Sequence, residues 1–454
     1  MLFSVLSFIG NVLICVFLLD GILILGYLYP ISTLKQALPS GLPPWGTREV
    51  YMDVLEEKRS TPELRGYVRQ RIHRMRQAMN RRGVDVTIMT RPENVFYFSN
   101  FNPIIISHVP YFIITGDDAF LLVHSIRHDH AINEGAVDKV LCYGKWGATQ
   151  AVAMDAADAM RELLGGGPLT LGVEGDYANM NFLENLRNKL NVRACVDISQ
   201  DAMDLRLIKD PYEIQMCRIS GELVDLGVTR AIEALNGGAS EAQAATEGQY
   251  AMRQRWQERY QQYEVSGFSN SETADIDSLV VWCMSNERLT YGCDCPTSYV
   301  PVPGDLTMPM SWARVGGYNV ENERTVMVGQ VNGQRASAYD AMLRARDRIF
   351  SMIRPGAVFE DLYLAAMEVY QDAGFGDILP GRCGHGMGLS SHEFPSVTKG
   401  SKLALAPGMI FTVEPGLMSV QLGAVRHSDT VLVTDAGFEF LTNSPRDQII
   451  IKGK

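Results

Sequence analysis

Short glycine-flanked polar motifs punctuate the last third of this 454-residue chain and constrain its fold more than any other feature. Several adjoin apolar runs with strand character, and glycine or proline stands where the chain must turn. In chain order, the motifs are Gly304-Asp305, Gly317-Tyr318, Arg324-Thr325, Gly384-His385-Gly386-Met387-Gly388, His392-Glu393, Pro407-Gly408-Met409, Glu414-Pro415-Gly416 and Arg426-x-x-Asp429. Together with a helical pattern over 336–352, these strands and turns predict an α+β domain.

Helical and strand patterns alternate upstream of these motifs. A helix over 67–82, short strands at 84–90, 111–115, 119–124 and 139–143, a helix over 149–164 and a strand at 169–173 predict a small α/β domain. Long helices are predicted over 211–236 and 240–260, before strands begin at Leu279. The sequence therefore predicts an amino-terminal α/β domain over 66–204 and a larger domain over 205–454.

Composition limits the class of protein. The formal net charge of -11 argues against a nucleic-acid partner, because phosphate binding needs a basic surface. The same acidity allows a cationic substrate. Eight cysteines scattered through a long chain lack the density of a disulfide scaffold, so reduced thiols are expected.

The first thirty residues differ from the rest of the chain. They are almost wholly apolar and carry one charged side chain, Asp20. A stretch of this length predicts a transmembrane-like helix that anchors the protein, followed by a linker over 31–65. The basic residues that follow, such as Lys35 and Arg48, place the body on the cytoplasmic side of a membrane by the positive-inside rule. The alternative is a helix that docks on a partner subunit.

The ordered motifs resemble those of the pita-bread superfamily, which includes prolidases, aminopeptidases P, methionine aminopeptidases and creatinases. The resemblance runs from about Gly66 to Ile451. It implies a two-domain creatinase/aminopeptidase-like α+β architecture, with a carboxy-terminal pita-bread domain behind the small α/β domain.

The resemblance also implies where metal ligands would lie. The metallopeptidases of the superfamily bind two divalent metals through two aspartates, one histidine and two glutamates. These positions fall at Met310, Glu321, His385, Glu414 and Ser428. A thioether and a hydroxyl replace two carboxylates, so no dinuclear metal site is expected. A mononuclear site on Glu321, His385 and Glu414 stays open.

Creatinase resembles this chain in finer detail and works without a metal. The residues expected on that basis to be catalytic are His385, Glu414, Glu323 and Cys293. Those expected to bind the substrate are Glu321, His392, Arg426, Asp294, His108 and Asn319. Cys293 falls near the catalytic histidine of creatinase and His108 near an arginine that the neighbouring subunit supplies, so creatine itself is not expected as the substrate. A thiol can serve as a nucleophile when a cation lowers its pKa, but nearby carboxylates would raise it.

The sequence thus predicts a metal-independent, creatinase-like hydrolase or lyase that needs no cofactor. Its substrate would be a small polar, cationic, amino-acid-derived molecule whose C–N bond is cleaved by histidine and glutamate acid-base chemistry. A homodimer with sites completed across subunits is implied by the resemblance. Two alternatives remain: a mononuclear-metal Xaa-Pro-type peptidase, and a pita-bread module that binds without catalysis.

Overall fold

The computed structural model describes residues 60–453, except 148 and 269–276, and the backbone of three strands nearer the amino terminus. Those strands are β1 (Phe3–Ile9), β2 (Val12–Leu19) and β3 (Ile22–Gly26), which pair antiparallel in the order β1-β2-β3. Residues 1–57 form one compact unit and residues 58–454 another.

The helix predicted over the first thirty residues is therefore wrong. Twelve of these thirty residues are β-branched or aromatic, and such residues favour extended backbone. Two residues separate each strand from the next, namely Gly10-Asn11 and Asp20-Gly21. The Asp-Gly pair is a frequent signal of a β-hairpin turn.

The membrane-anchor prediction fails with the helix. Within the described part of the chain, none of the helices combines the length and the apolar character needed to cross a bilayer. The orientation inferred from the flanking basic residues loses its basis. Most of the predicted linker, from 31 to 59, lies outside the described residues.

The first domain of the second unit is built on a six-stranded sheet with the order β7-β6-β5-β4-β8-β9. Its strands are β4 (Val86–Met89), β5 (Tyr111–Thr115), β6 (Ala119–His124), β7 (Val140–Tyr143), β8 (Leu169–Val173) and β9 (Val192–Asp197). Its helices are α1 (Pro62–Arg82), α2 (Pro92–Ser99), α3 (His128–Glu134), α4 (Ala156–Leu164), α5 (Met180–Lys189) and α6 (Ser199–Leu207). Helix α4 begins seven residues later than position 149, because Asp155 caps it by accepting from the N–H groups of Ala157 and Asp158.

Two long helices open the second domain. Helix α7 (Pro211–Asn236) starts with a capping box between Asp210 and Glu213, and helix α8 (Glu241–Arg259) with one between Ser240 and Gln243. Helices α9 (Gly333–Phe350) and α10 (Phe359–Asp372) follow after the first strands. The predicted boundary between positions 204 and 205 stays a prediction.

The strands described in this domain join one large sheet. They are β10 (Leu279–Ser285), β11 (Leu306–Val315), β12 (Tyr318–Arg324), β13 (Val326–Val328), β14 (His385–Gly386), β15 (Glu393–Ser396), β16 (Ile410–Val413), β17 (Gly416–Ser419), β18 (Gly423–Thr434), β19 (Gly437–Phe440) and β20 (Ile449–Ile451). The main path is β15-β14-β16-β18-β12-β11-β13-β20, with β10 beside β11 and with β17 and β19 beside β18.

The register of the central strands positions the functional residues. Met310 on β11 pairs with Glu323 on β12, and Glu323 pairs with Ser428 on β18. Residues two apart on a strand point to the same face, so Glu321 and Arg426 lie on the same face as this row. Side chains from β11, β12 and β18 thus meet on one face of the sheet.

Candidate metal centre

His385 is fixed by its backbone and by one ring nitrogen. Its N–H donates to Oγ1 of Thr412 at 3.0 Å, and its Nδ1 lies 3.1 Å from the carbonyl oxygen of Gly386. Since a carbonyl only accepts, Nδ1 carries the proton and Nε2 presents a lone pair. The adjoining glycine is required by close approach, because a Cβ at Gly384 would lie 2.0 Å from the carbonyl oxygen of Thr412.

The free nitrogen faces two carboxylates. Nε2 of His385 lies 3.3 Å from Oε1 of Glu414 and 3.7 Å from Oε2 of Glu321. All three residues are buried, and the three ligand atoms lie within 4.8 Å of one another. Nε2 is buried and has no hydrogen-bond partner among the described residues. This is the arrangement of three donors around one cation.

The electrostatics of the cluster without a cation are unbalanced. Burial, and then the charge of Glu321, raise the pKa of Glu414 well above its ordinary value. Burial lowers the pKa of His385. Burial opposes ionisation of Glu321 too, but His385 and the hydroxyl of Ser428 hold the pKa of that carboxyl below its usual range. A bound cation would relieve the repulsion between Glu321 and Glu414.

Two of the positions implied by the resemblance hold no carboxylate. Met310 is fully buried, and Ser428 donates from Oγ to Oε1 of Glu321 at 2.7 Å. The other carboxylate oxygen of Glu321 accepts from Nε1 of Trp312 at 3.1 Å. Ser428 therefore orients a candidate ligand instead of acting as one.

Glu323 and Arg426 form a bidentate ion pair beside the cluster. Nη2 of Arg426 donates to Oε1 of Glu323 at 2.8 Å, and Nε donates to Oε2. Glu323 is buried, and 20% of the Arg426 side chain is exposed. The pair is thus in place near the cluster, but Glu323 has a cationic partner and is not a free acid-base group.

His392 lies at the open side of the cluster. Its ring centroid is 4.3 Å from that of His385, and the residue is exposed. Burial of the ring, and then the neighbouring His385, lower the pKa of His392. Two further residues at the site were not predicted from the sequence, because no motif signals them. They are Arg382, whose Nε lies 3.9 Å from Oε1 of Glu414, and Thr412, which holds the backbone of His385.

Cys293 and Asp294 lie on an exposed loop. Partial burial, and then the charge of Glu323, raise the pKa of Cys293, which disfavours the reactive thiolate. Asp294 accepts from Nη2 of Arg288 at 3.0 Å and from the backbone N–H of Cys295 at 2.8 Å. These contacts order the loop itself.

Asn319 and His108 lie in different surroundings, and their predicted roles in substrate binding stay predictions. The buried Asn319 donates from Nδ2 to the carbonyl oxygens of Gly388 and Leu389, both at 3.0 Å. It therefore fixes the segment that follows His385. His108, in the first domain, is exposed and stacks on His124 at 3.8 Å between ring centroids. Its role toward a neighbouring subunit stays a prediction.

The two domains and the buried histidine–glutamate cluster define a class of protein, and sequence comparison agrees. Residues 71–208 match the Creatinase/Prolidase N-terminal domain, and residues 215–435 match Metallopeptidase family M24. The chain belongs to the pita-bread superfamily, as its motifs indicated.

Relatives from the genus Pyrococcus are similar to most of this chain. An Xaa-Pro dipeptidase of Pyrococcus furiosus is 28% identical over 380 residues, which are 84% of this chain and 99% of that protein. The crystal structure of the prolidase from Pyrococcus horikoshii OT3 has a TM-score of 0.72 at 26% identity, covering 84% of this chain and 100% of that one. The prolidase from Pyrococcus furiosus gives a TM-score of 0.68 at 28% identity, covering 82% and 99%.

These findings correct the functional prediction. The chain's domain matches a metallopeptidase family, so the prediction of an enzyme is confirmed at the level of a hydrolase. The prediction of a metal-independent, creatinase-like C–N enzyme is wrong. The relatives are Xaa-Pro dipeptidases, and three of the five implied ligand positions still converge on one point. The two missing carboxylates argue against a dinuclear site, but the three donors that remain are enough to hold one metal ion.

Proposed function

We propose that this protein is a dipeptidase of the Xaa-Pro type that works with a single divalent cation held by Glu321, His385 and Glu414. The observation that carries the proposal is the convergence of Nε2 of His385 with two buried carboxylates. The two Pyrococcus relatives are Xaa-Pro dipeptidases, and this supports the substrate class.

The donor set suits such a cation. One neutral imidazole nitrogen and two carboxylate oxygens favour zinc, manganese, iron or cobalt over softer ions. The unpartnered Nε2 of His385 has its lone pair directed at the same point as the carboxylates. When bound, a divalent cation polarises the scissile carbonyl and lowers the pKa of a water molecule.

The protein's own residues would then move the proton. Hydrolysis adds water to the peptide carbonyl carbon, breaks the C–N bond and delivers a proton to the leaving nitrogen. Glu414, whose Oε1 lies 3.3 Å from Nε2 of His385, is the carboxyl placed to carry that proton. His392, at the open side of the cluster, is placed to donate a hydrogen bond to the substrate.

The positive charge at the amino terminus of a dipeptide suits the acidic site. A dipeptide carries an amino-terminal ammonium group, and buried carboxylates attract a cation.

Metal analysis and peptide hydrolysis test the proposal together. Protein purified without chelator should contain about one equivalent of transition metal, and it should hydrolyse Xaa-Pro dipeptides faster than Xaa-Ala dipeptides. Chelation should abolish turnover, and added Mn²⁺, Co²⁺ or Zn²⁺ should restore it. His385→Ala should lose both metal and activity, whereas His73→Ala, at an exposed position of helix α1, should keep both. Turnover that survives complete metal removal would refute the proposal.

We also propose a homodimer in which the first domain of one subunit completes the site of the other. The resemblance to creatinase and the exposed position of His108 support it. Light scattering after size exclusion should give twice the chain mass of 50.4 kDa. Mixed dimers of His108→Ala and His385→Ala subunits should recover activity, because one of their two sites would have both residues intact.

A further inference from the structure

Two tryptophans lie on the face of the large sheet that carries the candidate metal centre. Trp312 on β11 pairs in register with Glu321 on β12, and Trp282 on β10 pairs with Met310 on β11. Opposed residues of antiparallel strands point to the same face, as do residues two apart on one strand. Both indoles therefore share the face of Glu321. They meet edge to face, with ring centroids 5.0 Å apart and an interplanar angle of 63°.

Helices α7 and α8 pack against the opposite face of these strands. Oγ of Ser311 on β11 donates to Sδ of Met252 on α8 at 3.4 Å. Nδ2 of Asn322 on β12 donates to Oδ1 of Asp225 on α7 at 2.6 Å. The two tryptophans point away from this packing and are only half-buried, so part of their surface stays available for contact.

The apolar surface extends one residue further. Val280 on β10 pairs in register with Trp312 and is half-buried as well. Val280, Trp282 and Trp312 therefore form one continuous set of apolar side chains beside the cluster, which we call the apolar wall.

Trp312 joins the apolar wall to the candidate metal centre. Its Nε1 donates to Oε2 of Glu321 at 3.1 Å, and the same oxygen lies 3.7 Å from Nε2 of His385. When the scissile carbonyl of a dipeptide reaches a cation held there, the groups attached to that carbonyl lie beside the indole of Trp312. Contact with the wall removes their apolar surface from water, which favours binding.

The shape of the wall indicates which of these groups it receives. A prolyl ring has one size, and its selection needs an enclosed pocket that fits it. A half-open wall accommodates side chains of different lengths, and in an Xaa-Pro dipeptide only the amino-terminal side chain varies. Large apolar side chains cover more of the wall than small ones and gain more from it.

We infer that the apolar wall receives the side chain of the substrate's amino-terminal residue and makes the protein prefer dipeptides in which this residue is large and apolar. The inference rests on the proposed function. It gives Trp312 two separable tasks, because the ring contacts the substrate and the ring N–H holds Glu321 in place.

Specificity constants for dipeptides that share proline test the inference. At saturating Mn²⁺, wild-type protein should hydrolyse Leu-Pro and Phe-Pro with kcat/KM values about tenfold above that for Gly-Pro, which has no side chain to place against the wall. Trp312→Ala should remove most of this preference. Trp282→Ala, which shortens the wall without touching Glu321, should reduce it and serves where Trp312→Ala does not fold, as judged by circular dichroism.

Trp312→Phe separates the two tasks. It keeps an aromatic ring and should keep the preference for Leu-Pro, but it loses the N–H donor to Glu321. Competition with a chromogenic chelator should therefore show Mn²⁺ affinity about tenfold lower than in wild type. Trp282→Ala should leave that affinity unchanged. Trp256→Phe is the matched control, since its indole donates to the carbonyl oxygen of Tyr263 at 2.8 Å, and it should change neither quantity.

Each contrary result has a distinct meaning. Wild-type protein that cleaves Gly-Pro as fast as Leu-Pro, or folded alanine variants that keep the wild-type preference, would overturn the inference and leave the proposed function standing. Variants that change only the ratio of Leu-Pro to Leu-Ala would also overturn it, because the wall would then serve the prolyl ring. Unchanged Mn²⁺ affinity in Trp312→Phe would overturn the second task. Wild-type protein that hydrolyses none of these peptides would overturn both proposals.

Discussion

Asn319 donates from its side-chain amide to the carbonyl oxygen of Gly388, and thereby joins strand β12 to the end of the glycine-rich motif that carries His385. Its backbone N–H donates to the same oxygen at 2.7 Å. Glu321 lies two residues further along β12 and faces His385. The connection therefore fixes the separation between two candidate ligands from different parts of the chain.

Asn319→Ala should loosen this connection. We expect a loss of about 1–3 kcal/mol in the free energy of unfolding, because two buried carbonyl oxygens lose a donor. Metal affinity should also fall, since His385 is held less firmly. Chemical denaturation and metal titration measure the two effects. Asn191→Ala, which removes an exposed side-chain hydrogen bond to Gly166, is the control and should change neither by much. An unchanged metal affinity in Asn319→Ala would contradict the positioning role.

Ser428→Ala tests the group that orients Glu321. The Oγ of Ser428 donates to Oε1 of Glu321, and removing an outer-shell partner typically weakens metal binding about 10–100-fold. We expect metal affinity to fall by a factor near the lower end of this range, because Trp312 still donates to the other carboxylate oxygen of Glu321. Competition with a chromogenic chelator measures the affinity. Ser351→Ala, at the end of helix α9, is the matched control. Equal affinities in the two variants would rule out this role for Ser428.

Arg324 is a structural cation, and its replacement should strongly destabilise the fold. The guanidinium is fully buried and forms an ion pair with Asp429 at 2.6 Å. It also donates to the carbonyl oxygens of Glu323, Ser428, Ser444 and Pro445. Lysine cannot reproduce this fork, so Arg324→Lys should cost about 3–5 kcal/mol of unfolding free energy. Arg218→Lys alters an exposed pair with Glu439 and should cost at most about 1 kcal/mol. Urea denaturation compares the two, and similar losses would count against the prediction.

His427 should make stability depend on pH. Its Nδ1 accepts from Nη1 of Arg346 at 2.8 Å, and its Nε2 lies 2.9 Å from the hydroxyl of Tyr339. Burial, and then the charge of Arg324, lower the pKa of His427 well below the ordinary value of about 6.5. Below that pH the unfolded chain binds a proton that the folded protein excludes, so stability falls as pH falls.

The comparison with His427→Gln isolates this contribution. Glutamine can keep both hydrogen bonds but does not titrate. Between pH 6.5 and 5.5, wild-type protein should lose about 1 kcal/mol more unfolding free energy than the variant, as one proton changes stability by about 1.4 kcal/mol per pH unit. His385 titrates in both proteins and cancels in the difference. Parallel pH profiles would show that His427 does not titrate on unfolding as described.

Cys293 should react slowly near neutral pH. Burial and the charge of Glu323 raise its pKa, and the thiolate is the reactive form. In a Cys295→Ser background, the pH midpoint for alkylation by iodoacetamide should exceed the ordinary thiol value of about 8.5. Cys293→Ala supplies the blank, and Glu323→Gln should lower the midpoint. A midpoint below that value would restore the interpretation of an activated nucleophile.

The sequence by itself determined the fold of residues 60–453 and most of the chemistry in its site. Glycine is needed at Gly384 because the backbone of Thr412 approaches it closely, and at Gly416 because the side chain of Arg426 does. Such requirements can be recognised in the sequence, since they fix the residue type. The predicted strands 111–115 and 119–124 agree with β5 and β6, since period and turn residues act locally. His385, Glu321 and Glu414 could be named as a set because the resemblance to the superfamily implies a ligand at each of these positions.

The tertiary structure decided what those residues do. Whether Glu323 is a free acid or an anchor depends on Arg426, which arrives from a strand about 100 positions later along the chain. Asn319 was expected to bind substrate, which stays a prediction, and only the fold shows that its amide donates to the carbonyl oxygens of Gly388 and Leu389. The apolar amino terminus was equally ambiguous, because a hydrophobic run fits a helix or paired strands, and pairing is not a local property. Charge compensation and strand pairing are relations between distant segments, so only the folded chain fixes them.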